Sequence, residues 1–169
     1  MTAKTHSGKA RVSLPGPTQI LIEREFDAPP ELVFRAYTTP ELVKRWWGGK
    51  RGTVTSAEID LREGGRWRFV MIANDGQEVA FHGTYREIVE GERLVSTEVY
   101  EMPGAVGPDD DEPATLNTAT FARDGERTKL SVLVECPDQS VRDAIIDSGM
   151  EGGMQESMDA LEEAAGSLR

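Results

Sequence analysis

The spacing of hydrophobic positions changes period along the chain. From Gln19 to Phe26 the run QILIEREF alternates, with Ile20 and Ile22, extending to Arg24 and Phe26, on one face of a strand. Pro29 and Pro30 halt pairing and suit a first helical turn, and Leu32, Val33, Ala36 and Tyr37 follow at helical spacing. A second short helix begins at once. Thr39 can cap it and Pro40 can fill its first position, while Leu42, Val43, Trp46 and Trp47 form its apolar side.

Beyond Gly48-Gly49 alternation returns. The runs TVTSAEIDL, RWRFVMI, EVAFHGTYREIV, RLVSTEVYEM, TLNTATFA and TKLSVLVEC are separated by Gly64-Gly65, Asn74-Asp75-Gly76, Gly91 and Asp124-Gly125, each able to supply a tight turn. They predict an antiparallel meander, and with the first strand they make seven strands. So many strands are best served by strong curvature over a helix. The stretch from Met102 to Thr115, rich in proline and carrying Asp109, Asp110, Asp111 and Glu112, reads as a solvated loop; it lacks the spaced ligands and central glycine of a calcium loop.

After Pro137 a long helix runs to about Ala165, with Ser140 and Asp143 at capping-box spacing. Ile146, Met150, Met154, Met158 and Leu161 recur on one face. Gly149, Gly152 and Gly153 interrupt it, each costing roughly 1 kcal/mol against alanine in a helix interior. Either the helix packs very closely there or it is bent or broken near residues 149–153, and a bend beside a cavity would make a gate.

Residues 1–16 show no hydrophobic period and read as a flexible tail before a single domain over 17–166. Thirty acids against nineteen bases leave a net charge of −11, which repels phosphate backbones and anionic lipid heads. No nucleic-acid partner and no membrane insertion are expected, because no segment approaches the roughly 18 apolar residues of a span. A single cysteine, Cys136, and only His6 and His82 as histidines argue against thiolate or imidazole metal clusters. A cytoplasmic protein without metal or cofactor is the expectation. A homodimer through an edge strand or the helix pair is compatible with the pattern.

The segments FDAPPELVFRAYTTPELVKRWWG, DLREGGRWRFVM, DGQEVAFHGTYREIVEGERLVST and SGMEGGMQESMDALEE, in that order, closely resemble the START-like, SRPBCC superfamily. Within it they are most similar to the bacterial branch named for homology to the activator of the heat-shock chaperone ATPase. The resemblance spans roughly residues 18–165. It implies an α+β helix-grip fold, in which a seven-stranded curved antiparallel sheet with two short helices grips the long C-terminal helix around a pocket. Relatives of this fold bind lipids, hormones and polyketides or catalyse cyclisation and dehydration, so fold alone leaves the chemistry open. Many members of the branch carry a tryptophan where this chain has Met154, and methionine there implies a softer, larger pocket.

In such a fold the core is also the cavity lining. Trp47, Trp67, Phe69, Phe81, Tyr85, Tyr100, Asn117, Met150, Met154 and Met158 are the candidate ligand contacts. Alternation places Phe81, Gly83 and Tyr85 on one face of their strand and His82 and Thr84 on the other. Three readings follow. The first is a binding protein for a small hydrophobic molecule. The second is a lyase, cyclase or hydrolase acting on a hydrophobic carbonyl compound, with His82, Tyr85 or Glu98 moving the proton. The third is a module that contacts a chaperone through its acidic surface.

Overall fold

The computed structural model describes residues 9–101 and 114–169, so the acidic stretch Asp109 to Glu112 lies outside the described residues. Among the described residues eight antiparallel strands form one sheet: β1 (Arg11–Ser13), β2 (Gln19–Phe26), β3 (Gly52–Ile59), β4 (Arg66–Ala73), β5 (Glu78–Val89), β6 (Arg93–Tyr100), β7 (Thr115–Asp124) and β8 (Arg127–Glu135). Their order in space is β1-β2-β8-β7-β6-β5-β4-β3. The helices are α1 (Pro30–Thr38), α2 (Pro40–Trp46), α3 (Gln139–Asp147) and α4 (Met150–Gly166). This is the helix-grip arrangement with eight strands rather than the expected seven. The extra one is Arg11–Ser13, which pairs with Leu21–Glu23; three residues are too few for periodicity to register.

Strand parity sorts the side chains. Ile20, Ile22, Arg24 and Phe26 share a face with Val134, Val132, Leu130 and Thr128 opposite them on β8. Across the sheet that concave face continues through Asn117, Ala119 and Phe121, then Leu94, Ser96 and Glu98, then Phe81 and Tyr85, then Trp67 and Phe69. Phe34 and Tyr37 of α1 meet Phe121 edge-on, at 5.3 and 5.5 Å between ring centroids. Tyr37 also stacks on Trp46, whose indole nitrogen donates to Ala36 O at 2.9 Å. Pro40 opens α2 as expected, but Thr39 does not cap it with its side chain; the hydroxyl donates back to Arg35 O.

Glycine at position 83 is a steric requirement. A methyl group there would stand 1.8 Å from Thr97 O and 2.6 Å from Trp67 Nε1. Its absence lets the Trp67 indole cross β5 and donate to Thr97 O at 3.2 Å. The Thr97 hydroxyl meanwhile receives the Thr84 amide at 2.8 Å.

The C-terminal helix is broken, as the alternative to close packing anticipated. Gly149, at φ +80°, separates α3 from α4. Asp138, rather than Ser140, caps α3 by accepting from Val141 N at 2.9 Å, and the Ser140 hydroxyl donates to the same carboxylate. Arg142 ties α3 to the β1–β2 connection through Gly16 O at 3.0 Å.

Candidate functional site

The two halves of α4 are held differently. Leu161, Glu162, Ala164 and Ala165 are buried, whereas no residue from Met150 to Ala160 is fully buried. The buried half is clamped by Arg24, itself fully buried on β2. Its Nη2 donates to Glu162 Oε1 at 3.0 Å, and Nη1 lies 2.9 Å from Asp159 Oδ1, an ion-pair distance without hydrogen-bond alignment. Glu162 Oε2 also accepts the Asp27 amide at 2.7 Å.

The half toward Met150 is strapped at its flanks. Gln155 receives the Ala10 amide at 3.0 Å and donates to Ala10 O at 2.8 Å, while Glu156 receives the Lys50 amide at 3.1 Å. Gly152 and Gly153 pass beneath Arg51, whose side chain is the nearest group a methyl would meet. The helix is thus tied on two sides at adjacent residues, and α4 packs chiefly on α1 and α2 rather than on the strands. Met150, Met154 and Met158 are only half-buried although they pack against the core.

The polar part of the concave face centres on Glu98 of β6 and Asn117 of β7. Asn117 Nδ2 donates to Glu98 Oε1 at 3.0 Å, and Asn117 Oδ1 is buried with no partner. Such an orphaned acceptor costs about 1–3 kcal/mol. Burial pushes the Glu98 carboxyl up from the ordinary glutamate value, opposed only in part by the Asn117 amide. Burial likewise raises Tyr37, with the Glu98 charge adding to it, and raises Tyr85, with Tyr37 adding to it. Tyr85, Tyr37, Glu98 and Asn117 therefore form an electrostatically connected group. Glu98 and Asn117 are both half-buried on the concave face.

The aromatic candidates divide. Half-buried Trp47, just past the end of α2, stands edge-on to Phe69 and Phe81, each at 5.5 Å between ring centroids. Trp67 is buried against Phe69 with its N–H committed to Thr97 O, a core role. Tyr100, at the end of β6, packs on Phe81 but is 47% exposed.

His82 lies on the opposite face of the sheet from Tyr85 and Glu98. It is 1% exposed, with Nδ1 2.8 Å from Glu101 Oε2. Arg68 grips Glu101 with Nε and Nη2, both at 2.9 Å, and these bonds hold the Glu101 carboxyl below the usual glutamate range. A shallow surface cleft of about 400 Å³ beside this cluster is lined by Glu58, Ile59, Asp60, Arg66, Trp67, Arg68 and His82. The three proton-transfer candidates therefore do not converge: Tyr85 and Glu98 share the concave face and His82 does not. Burial raises the Cys136 thiol, in keeping with an inert residue. Among the described residues no group of three or more His, Cys, Asp or Glu side chains can hold a metal, and no helix is long and apolar enough to cross a membrane.

The sequence reading missed Tyr37, Arg24, Gln155 and Glu162. Arg24 carried a usable signal, a charge on the apolar face of an alternating strand, which demands an acidic partner elsewhere.

A curved antiparallel sheet holding a C-terminal helix over a lined concave face defines the START-like class of proteins. Comparison with protein families identifies the branch: residues 27–166 match the family described as Activator of Hsp90 ATPase homolog 1-like protein, and the chain belongs to it. Solved structures share the fold. A protein from Rhodobacter sphaeroides superposes with a TM-score of 0.82 at 23% identity, covering 95% of this chain and 100% of its own. One from Nitrosomonas europaea gives 0.79 at 22% identity over 92% and 98% of the two chains. One from Chromobacterium violaceum gives 0.71 at 29% over 86% and 95%. No curated protein matches the chain.

Proposed function

We propose that the protein binds a small, largely apolar molecule between the concave face of the sheet and the half of α4 nearest Met150, acting in the cytosol as a carrier or sensor of that molecule. The observation that carries this reading is the half-burial of Met150, Met154 and Met158 where they pack against the core, together with half-buried Glu98 and the unpartnered Asn117 Oδ1 on the concave face. Methionines adapt to varied apolar shapes, and a few polar groups in an apolar lining orient a ligand. The left-handed Gly149 joint between α3 and α4 supplies a place for the helix to move as the ligand enters.

The test is titration with Nile red, an uncharged dye that brightens in apolar surroundings. Saturable binding at one dye per chain is expected, weakened about tenfold in a Met154→Trp variant whose fold is verified by circular dichroism. No saturable binding, or equal binding by a folded Met154→Trp, removes the reading.

One observation favours a second role. Glu98, a carboxyl raised by burial beside Tyr37, is made a stronger base for taking a proton from a bound carbonyl compound. Turnover abolished by Glu98→Gln with ligand binding retained would establish it.

A further inference from the structure

The polar end of the concave face has a definite sign and hydrogen-bonding sense. Its two central groups present acceptors: the Glu98 carboxyl and the buried, unpartnered Asn117 Oδ1. The hydrogen bond that favours the charged form of Glu98 comes from the Asn117 amide, and among the described residues no ion pair to Glu98 is formed. The buried guanidiniums of Arg24 and Arg142 are committed elsewhere. Arg24 is engaged by Asp159 and Glu162, and Arg142 by Asp143 and Gly16 O. A carboxylate or phosphate placed against Glu98 would meet a like charge and an acceptor, with no guanidinium or ammonium to receive it.

We propose that the Glu98–Asn117 pair receives a hydrogen-bond-donating end of the ligand, an amine or a hydroxyl group, and turns away carboxylates and phosphates. The proposal rests on reading the space beneath α4 as a ligand cavity and adds to it the chemical class of the ligand. An ammonium supplies three donors and can satisfy both Glu98 and Asn117 Oδ1, whereas a hydroxyl supplies one. Amines should therefore bind more tightly than alcohols of the same chain, and both more tightly than carboxylates.

The experiment is displacement of Nile red by dodecylamine, dodecanol and dodecanoate, at neutral pH and physiological ionic strength, below their aggregation limits. Dodecylamine should displace the dye at a concentration at least about tenfold lower than dodecanoate, the difference expected for one charge-assisted hydrogen bond. Glu98→Gln, with its fold checked by circular dichroism, should bring the two within about threefold of each other. Glu126→Gln, an exposed substitution in the β7–β8 turn, should keep the wild-type preference and so separates the site from the general attraction of an acidic protein for amines.

Dodecanoate binding as well as dodecylamine, or a preference surviving in Glu98→Gln, overturns the proposal while leaving the cavity reading intact. Failure of Nile red itself to bind removes the cavity reading first and the proposal with it. The wild-type ranking of the three compounds requires no variant, so an unstable Glu98→Gln would not shelter the proposal.

Discussion

Replacing Glu162 by glutamine should loosen the whole of α4 from the sheet. In the native protein one Glu162 oxygen accepts from Arg24 at 3.0 Å and the other from the Asp27 amide at 2.7 Å, and Arg24 is fully buried. Glutamine keeps the shape but offers one acceptor and one N–H₂, so one of those two donors must face another donor. Breaking a buried ion pair while its partner stays behind costs about 3–5 kcal/mol. Asp159 remains 2.9 Å from Arg24 Nη1, which places the expected loss near the lower end, about 3 kcal/mol.

For a chain of this size each kcal/mol shifts Tm by about 2–4 °C, so Glu162→Gln should melt about 6–12 °C lower, with the same loss in urea denaturation followed by circular dichroism. The double variant Arg24→Met with Glu162→Leu removes both charges. It should recover to within about 2 kcal/mol of the wild type, since well-packed apolar groups can replace a buried pair at little cost. A loss under about 1 kcal/mol in Glu162→Gln, or a double variant less stable than the single one, would refute the clamp.

The remaining predictions concern glycines and carboxyls. Gly83→Ala must displace the Thr97 carbonyl or the Trp67 indole and should cost at least about 3 kcal/mol or prevent folding, as read by expression and melting. Gly149→Ala, with nothing nearby to clash but φ at +80°, should lose about 1 kcal/mol, whereas Gly153→Ala inside α4 should gain about 1 kcal/mol in the same urea titrations. Because burial raises the Glu98 value above the ordinary 4.5, the folded protein holds that proton more tightly than the unfolded chain, and stability is lost as pH rises through this window. Glu98→Gln should therefore be more stable than wild type at neutral pH and equal to it in strong acid. Glu101 has the opposite sign: its lowered value contributes stability above the ordinary 4.5 that is lost as pH falls, so Glu101→Gln should be destabilised at neutral pH and match wild type in strong acid.

Much of this architecture was legible because it is periodic. Strand alternation and turn glycines gave the meander, and parity placed Phe81 with Tyr85 and set His82 on the opposite face. The glycines in the last helix announced a break because each is costly there without a reason. What periodicity cannot carry is a contact between distant segments. The strand Arg11–Ser13 is recognised only by its pairing with β2, and Gln155 only by its two bonds to Ala10. Trp67 looked as suitable for a ligand as Trp47, and only its bond across Gly83 commits it to the core. Tyr37 read as the apolar side of a helix, and its place beside Glu98 depends on how α1 docks on β7.

The central claim is that a ligand lies between the sheet and α4. It is tested most directly by methionine-methyl and tryptophan-indole NMR during titration with dodecylamine. The account predicts saturable shifts centred on Met150, Met154, Met158 and Trp47, while exposed Leu14, Leu61 and Val89 stay unperturbed in the backbone amide spectrum. Shifts spread over those exposed positions, or none at the methionines at saturation, would contradict it.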